Sequence, residues 1–475
     1  MIQVIPFPKA VKSSDVRVKV KPTYRGIAYC SAIRSFFDYA DRLLEVIFQR
    51  DDSDAACFVF ELDVSMPIDE YRIKVTENGK AFVRAQNEAA LSYAFATLIL
   101  CFEKSEDGIT LPVMTLSDAP DSKAQWRGLM LDLARKWIPV KYLFDAIDLC
   151  WLYKINRLQL HFTDDQSFTL PCRSLPKLST EGRTYTYTEI AAVREYAAER
   201  GVMLIPEVDM PGHCAPFQTA YSEIFGSNRV MCVEEKTFYA LETLINEVLE
   251  LFPDTPYIHL GGDEARIANW KLCSGCLSYI KEHNLQDEHA AYAHYLGRIT
   301  QMVLAKGKTP IIWEGFSKEY NELISKEVLV IGWESYYQVA PSLLKSGFTL
   351  INCSWQPLYV VPFSPGKYWD PEEILDWNMY TWRNWWKKSF ASETPIVVPS
   401  DSRVMGGQLC MWGDAMTACP SNERAVRSAF KLVAERLPAL AERTWNPNKT
   451  VDKEFFCKKL PYTQAVLSKL LRNEL

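Results

Sequence analysis

Two neighbouring carboxylates, Asp263 and Glu264, stand in the run HLGGDEAR. Successive side chains on a strand point to opposite faces, so both can reach one surface only where the backbone leaves strand geometry. The preceding Gly261-Gly262 permits that departure. Carboxylates this close disfavour each other's ionisation, and one pKa is expected to rise. A carboxyl still protonated near neutral pH can act as a general acid. An enzyme that pairs a carboxylic acid with a carboxylate nucleophile in a double displacement sets the two on opposite sides of the scissile bond, about 5–5.5 Å apart. Adjacent residues are poorly placed for that. The nucleophile then comes either from another strand, such as Glu207 or Glu314, or from the substrate, and the residues alone leave both open.

Other reactive side chains recur at the ends of short apolar runs. Asp132 and Arg135 follow GLML; His161, Asp164, Asp165 and Gln166 stand in HFTDDQ; Glu207, Asp209 and His213 stand in EVDMPGH. Trp313, Trp333 and Trp412 close or follow three later runs. The runs read as strands at 128–132, 157–161, 203–207, 257–261, 310–313, 328–332, 349–353 and 407–412. Helical patterns fall between them at 141–153, 188–200, 238–251 and 290–306. Eight strand–helix units over roughly 320 residues match a (β/α)8 barrel, whose active sites form at the C-terminal strand ends. A doubly wound sheet is the competing architecture, but no Gly-rich phosphate loop follows the first strand. Seven of the eight strand ends carry such groups, which points to an active site at one mouth, although some of them cap the following helices.

The segment before the barrel has a different pattern. Tyr71, Ile73 and Val75 alternate with polar residues, Asn78-Gly79 is a hairpin turn signal, and Phe82 and Ala85 follow in a second strand. A helix is expected over 88–102. We read residues 1–120 as an α+β accessory domain, SDAPDS as a polar linker, and 121–475 as the catalytic barrel with C-terminal helices.

Composition narrows the function. The 475 residues are 48% hydrophobic and 24% charged, with a net charge of −6. Nucleic acid is an unsuitable partner for such a surface, and no run approaches the apolar length of a membrane span. Fourteen tryptophans suit sugar faces as well as cores. The opening MIQVIPFPKAVKSS lacks an apolar signal core. Thirteen scattered cysteines fit free thiols in a reducing compartment. The chain therefore reads as cytoplasmic unless its mature form begins here. Cys273 and Cys276 form the only CxxC, and without a second one they read as a structural loop, with no metal site.

The motifs RGLMLDLAR, HFTDDQ, EVDMPGH, HLGGDE and QLCMWGD, in this order, together with the IPFPKAV opening, resemble those of the family-20 glycoside hydrolases, the β-N-acetylhexosaminidases. The resemblance covers nearly the whole chain. It implies a retaining exo-enzyme that removes terminal N-acetylhexosamine from an oligosaccharide or glycoconjugate, with the sugar's own acetamide as nucleophile and no cofactor. Glu264 would be the general acid/base, and Asp263 would orient and stabilise the acetamide. Arg135 would bind the 3- and 4-hydroxyls. Asp164 or Asp165 with His213 would form a relay beneath Glu264, with His161 in the same substrate-binding set. Trp313, Trp333 and Trp412 would wall the acetamide pocket, and Tyr359 would donate to the acetamide oxygen. Asp414 stands where the family more often has glutamate, and would bind the 4- or 6-hydroxyl. Val361 stands where much of the family has aspartate. A subgroup resembles this chain there, with a PLYVV-type loop and a WNMYTWRNWW-like helix, whose tryptophans would shape a further sugar site or fill core. Two rival functions remain: a metal-dependent barrel hydrolase using His161, Asp164, Glu207, Asp209 and His213, and a sugar-binding protein without catalysis.

Overall fold

The computed structural model describes residues 2–27, 30–106, 108–364 and 369–474. The N-terminal part is a mixed sheet of eight strands, in which Tyr71–Val75 lies between Gly108–Asp118 and Ala81–Ala85. Tyr71, Ile73 and Val75 face inward while Arg72 and Lys74 face solvent, as a half-buried strand requires. Gly79, at φ 79°, makes the turn into Ala81–Ala85, where Phe82 lies on the outer face. Two helices, Ser31–Leu44 and Glu88–Ile99, pack together over the inner face, with Phe36 and Phe95 stacked at 4.4 Å. Asp118, at the end of the sheet, accepts hydrogen bonds from Tyr71 (2.6 Å) and from the Trp445 indole (3.0 Å). Buried Lys154 lies 3.4 Å from the same carboxylate. A charge network thus forms the seam between sheet and barrel.

The barrel opens with Trp126–Asp132 and continues through Arg157–His161, Met203–Glu207, Tyr257–His259, Thr309–Trp313, Leu329–Gly332 and Thr349–Asn352. The eighth strand, Val404–Met411, pairs in parallel with both the seventh and the first and closes the ring. The helices run over Val140–Leu152, Tyr187–Glu199, Glu235–Leu251 and Glu288–Leu304, within three residues of the expected bounds. Parallel register matters for the site. Asp132 stands beside His161, His161 beside Glu207, and Glu207 beside His259, so four polar strand ends form one row.

One expected element does not form. The stretch WNMYTWRNWW is not a helix but two turns around the short strand Thr381–Trp382. Asn378 Oδ1 accepts from Tyr380 N and Asn384 Oδ1 from Trp386 N, both at 2.9 Å. Asparagine side chains that bond the backbone two residues on compete with the helical pattern, and here they win.

Candidate active site

The fourth barrel strand stops at His259, and Gly261 and Gly262 take φ values of 68° and 86°. A Cβ on Gly261 would lie 1.8 Å from Asp209 Oδ1, so the turn admits only glycine there. Glu264 is itself left-handed, at φ 45°. Buried Tyr292 donates its hydroxyl to the Gly262 carbonyl and pins the turn. The outcome is that Asp263 and Glu264, though adjacent, both line one cavity of about 370 Å³, within the usual range of small-ligand sites. Arg135, Trp333, Trp355, Tyr359, Trp412 and Asp414 line it too.

Beneath the cavity lies a charge network. Asp164 holds Arg135 Nη2 at 2.8 Å and His161 Nε2 at 3.1 Å, and lies 3.3 Å from His213 Nδ1. Burial raises its pKa, but the two histidines and Arg135 outweigh that and hold it ionised, far below the usual range. Arg135 also reaches Asp132 Oδ2 at 3.0 Å and Asp414 Oδ1 at 3.4 Å, and its guanidinium lies over the Trp412 ring. Its burial is outweighed by these acids, so its pKa rises and it stays charged. His161 Nδ1 lies 2.9 Å from Glu207 Oε2, and Gln159 and Trp313 donate to Glu207 at 2.8 Å each.

His213 joins this network to the acid pair. Its Nε2 lies 3.4 Å from Glu264 Oε2 and 3.9 Å from Asp263 Oδ2. Burial disfavours its charge, but the surrounding carboxylates raise its pKa well above normal. The expectation of a raised carboxyl is thereby redistributed. Glu264 is lowered, chiefly by His213, whereas burial raises Asp263. Asp209, fully buried next to Asp263, is raised further still. One oxygen of Asp263, Oδ1, is buried with no hydrogen-bond partner among the described residues.

The sequence-derived site residues separate into two groups. Glu264, Asp263, Arg135, Trp333, Trp412, Tyr359 and Asp414 line the cavity; Trp333 and Tyr359 lie parallel, 6.0 Å apart. His161, Asp164 and Trp313 lie underneath, each about 1% exposed, and Trp313 sits behind Trp412 at 5.9 Å. A wall of three tryptophans is therefore not what forms, because the Trp313 indole is committed to Glu207. Asp165 faces solvent, where its Oδ1 lies 3.3 Å from Ala215 N at the start of a short helix; Asp164 alone meets His213. Neither Glu207 nor Glu314 lines the cavity. Glu314 is buried, its carboxylate accepts from Ser335 N, and burial pushes it up to about 8.

The five residues of the metal-dependent alternative do not gather at one point. Only two of the five join any one set within 4.8 Å among the described residues: Asp164 and His213 with Asp165, and Asp209 and His213 with Asp263.

Sequence reasoning passed over several residues. Trp355, at the start of the short helical turn Trp355–Leu358, and Trp369, from a loop, extend the cavity; Tyr292 pins the glycine turn, and Glu334 faces the acid pair. Burial and the charges of Glu264 and Asp263 push Glu334 up to about 7. Glu334 follows Trp333 as Glu314 follows Trp313, a repeated strand-end signal that could have drawn notice.

Barrel and mouth together define a class: a (β/α)8 protein with paired acids and an aromatic-walled, sugar-sized site of the glycoside hydrolase kind. The catalytic-domain signature of glycosyl hydrolase family 20 matches residues 125–448, and the chain belongs to that family. It is similar to a β-hexosaminidase of Porphyromonas gingivalis, 25% identical over 468 residues, covering 89% of this chain and 56% of that protein. It is also similar to one of Akkermansia muciniphila, 32% identical over 334 residues, covering 62% and 65%. The chain thus spans between about half and two thirds of these curated relatives. A solved β-N-acetylhexosaminidase of Bacteroides fragilis shares the fold, with TM-score 0.80 and 22% identity over 98% of this chain and 96% of that one. So does an exo-β-N-acetylglucosaminidase of Vibrio harveyi, with TM-score 0.82 and 21% identity over 98% and 77%.

Proposed function

We propose that this chain is a retaining exo-β-N-acetylhexosaminidase. It removes a terminal, non-reducing N-acetylhexosamine from a glycan, and the sugar's own acetamide is the nucleophile. The observation that carries the reading is that Asp263 and Glu264 are neighbours lining one cavity, whereas the other described carboxylates beside it are otherwise engaged: Asp414 pairs with Arg135 at 3.4 Å, and Glu334 is pushed up to about 7 by burial and by the acid pair. The candidates from other strands, Glu207 and Glu314, are locked elsewhere. An acetamide N–H in the cavity would donate to the Asp263 carboxylate that lines it.

Glu264 then donates a proton to the glycosidic oxygen while the acetamide oxygen bonds to C1. The C1–O bond breaks, and the aglycone leaves as an alcohol. Positive charge spreads over the new oxazolinium ring, where Asp263 stabilises it. Water next attacks C1, Glu264 takes the water proton, and the ring reopens with retained configuration. Free Glu264 is held ionised by His213. A bound sugar displaces water from its carboxylate, which favours the protonated acid. Arg135, already fixed by three carboxylates, presents a rigid donor to vicinal hydroxyls. Trp333, Trp412 and Tyr359 offer apolar faces to the ring. Support also comes from relatives: the Vibrio harveyi enzyme was solved with N-acetylglucosamine, and a Streptomyces plicatus β-hexosaminidase mutant with GlcNAc as product.

The test compares an aryl β-glucoside with its 2-acetamido analogue. The glucoside is expected to react orders of magnitude more slowly, and a thiazoline mimic of the cyclic intermediate to bind far more tightly than substrate. Equal rates on the two glycosides would return the nucleophile to the protein.

A further inference from the structure

The CxxC of Cys273 and Cys276 has no part in the sugar site, yet the fold brings it two more donors. Cys232 lies 41 residues upstream with its Sγ 3.6 Å from Cys273 Sγ, and Glu234 Oε1 is also 3.6 Å from that sulfur. The four donor atoms lie within 4.8 Å of one another. With zinc–sulfur bonds of about 2.3 Å, two sulfurs of a tetrahedral site stand about 3.8 Å apart. The observed spacing fits that edge and far exceeds the roughly 2.05 Å of a disulfide.

The surroundings are built to hold donors. Cys232 and Cys276 are buried. Cys276 N donates to Cys273 Sγ at 3.4 Å, the kind of backbone support metal-bound thiolates receive. A Cβ on Gly226 would stand 2.4 Å from Cys232 Sγ, and one on Gly275 would stand 2.3 Å from Glu234 Oε1, so both donors are packed against bare backbone.

We propose that Cys232, Glu234, Cys273 and Cys276 form a structural zinc site joining the loops that follow the third and fourth barrel strands. On binding, the three thiols give their protons to solvent, three zinc–sulfur bonds and one zinc–oxygen bond form, and no electron is transferred. Lys236 Nζ, 3.1 Å from Glu234 Oε2, offsets part of the negative charge. The two loops are those that carry His213 and Glu264, so the ion would fix the spacing of the acid and its partner from outside the cavity. It takes no part in bond cleavage.

The test is metal analysis of the whole chain after loading with zinc and desalting. About one zinc per chain is expected in the wild type and in Cys457→Ser, an exposed cysteine elsewhere. Cys273→Ser/Cys276→Ser should hold about a tenth of that or less. Because loss of donors can also disturb folding, the wild type is loaded with cobalt(II) as well. A thiolate-to-cobalt charge-transfer band with tetrahedral d–d bands is expected. Absence of both zinc and the cobalt spectrum in the wild type would overturn the site, as would undiminished zinc in the double variant or a Cys232–Cys273 disulfide in a non-reduced digest. None of these readouts depends on the sugar substrate.

Discussion

Below the cavity, charges meet charges. Glu207 has His161, His259, Gln159 and Trp313 around it, and Asp164 has Arg135, His161 and His213. At the rim the picture reverses: the side chains of Glu264 and Asp414 are each 55% exposed. Glu207 and Asp164 are surrounded because a buried charge without partners is costly, and those partners fix their geometry. The rim stays wet because its groups must exchange water for substrate. On the proposed function, residues of similar chemical type thus do different work: the floor positions and the rim reacts.

Substitution at the rim should have the largest effects. Glu264→Gln should slow cleavage of a glycan linkage about 10²–10⁴-fold, the usual worth of a placed proton donor. It should spare much more activity on an aryl glycoside whose phenolate leaves unaided. Asp263→Asn should cost about 10²–10³-fold on both substrates, since it acts on the acetamide whatever departs. Rates over leaving groups of graded pKa check this. If the steep dependence belongs to Asp263→Asn instead, the two roles are reversed.

Arg135 belongs to both regions and comes next. Arg135→Ala should cost about 2–4 kcal/mol in kcat/KM, roughly 30- to 1000-fold. Arg135→Lys should restore little, because an ammonium cannot reproduce the planar fork. A change below threefold in a folded variant would remove Arg135 from the sugar site.

Substitution in the floor should appear in stability more than in binding. Trp313→Phe removes a donor to fully buried Glu207 and should cost about 1–3 kcal/mol of unfolding free energy. KM for an aryl substrate should change less than in Trp412→Phe, whose ring lines the cavity. The reverse ranking of KM would place Trp313 in the wall after all.

The smallest effect sharpens the contrast through pH. A general acid must be protonated, so activity falls as pH rises through its pKa. His213 lowers Glu264 in the free chain, and a bound sugar favours its protonated form. The alkaline limb of kcat/KM, which reports the free enzyme, should therefore lie at lower pH than that of kcat. His213→Asn should move the kcat/KM limb upward. Coincident limbs would argue against substrate burial as the source of the proton.

This division also separates what was legible in the chain. Arg157–His161 and Met203–Glu207 were readable to the residue: MLIPE is an apolar run ending in a polar group, as a strand buried on both faces requires, and RLQLH sets two leucines just ahead of His161. Gly261-Gly262 announced a turn that lets two acids share a face. Which strand ends face the cavity was not legible. Trp313 and Trp412 close similar runs, and only the three-dimensional position of Glu207 turns one indole into the floor. Asp164 and Asp165 differ by one place in a tight hairpin, a local geometry that no periodicity encodes. Trp355 and Trp369 come from a single irregular helical turn and a loop, neither with a repeating pattern. The lowered Glu264 pKa depends on His213, which arrives from another strand.

The central claim is that the acetamide attacks C1, and its own reactivity tests this most directly. Successive fluorination of the 2-acetamido methyl group weakens the carbonyl oxygen as a nucleophile while scarcely changing size. The wild-type kcat for aryl glycosides carrying acetamido, fluoroacetamido, difluoroacetamido and trifluoroacetamido groups should fall steeply at each step. A flat series would mean that a protein carboxylate, not the sugar, forms the bond to C1.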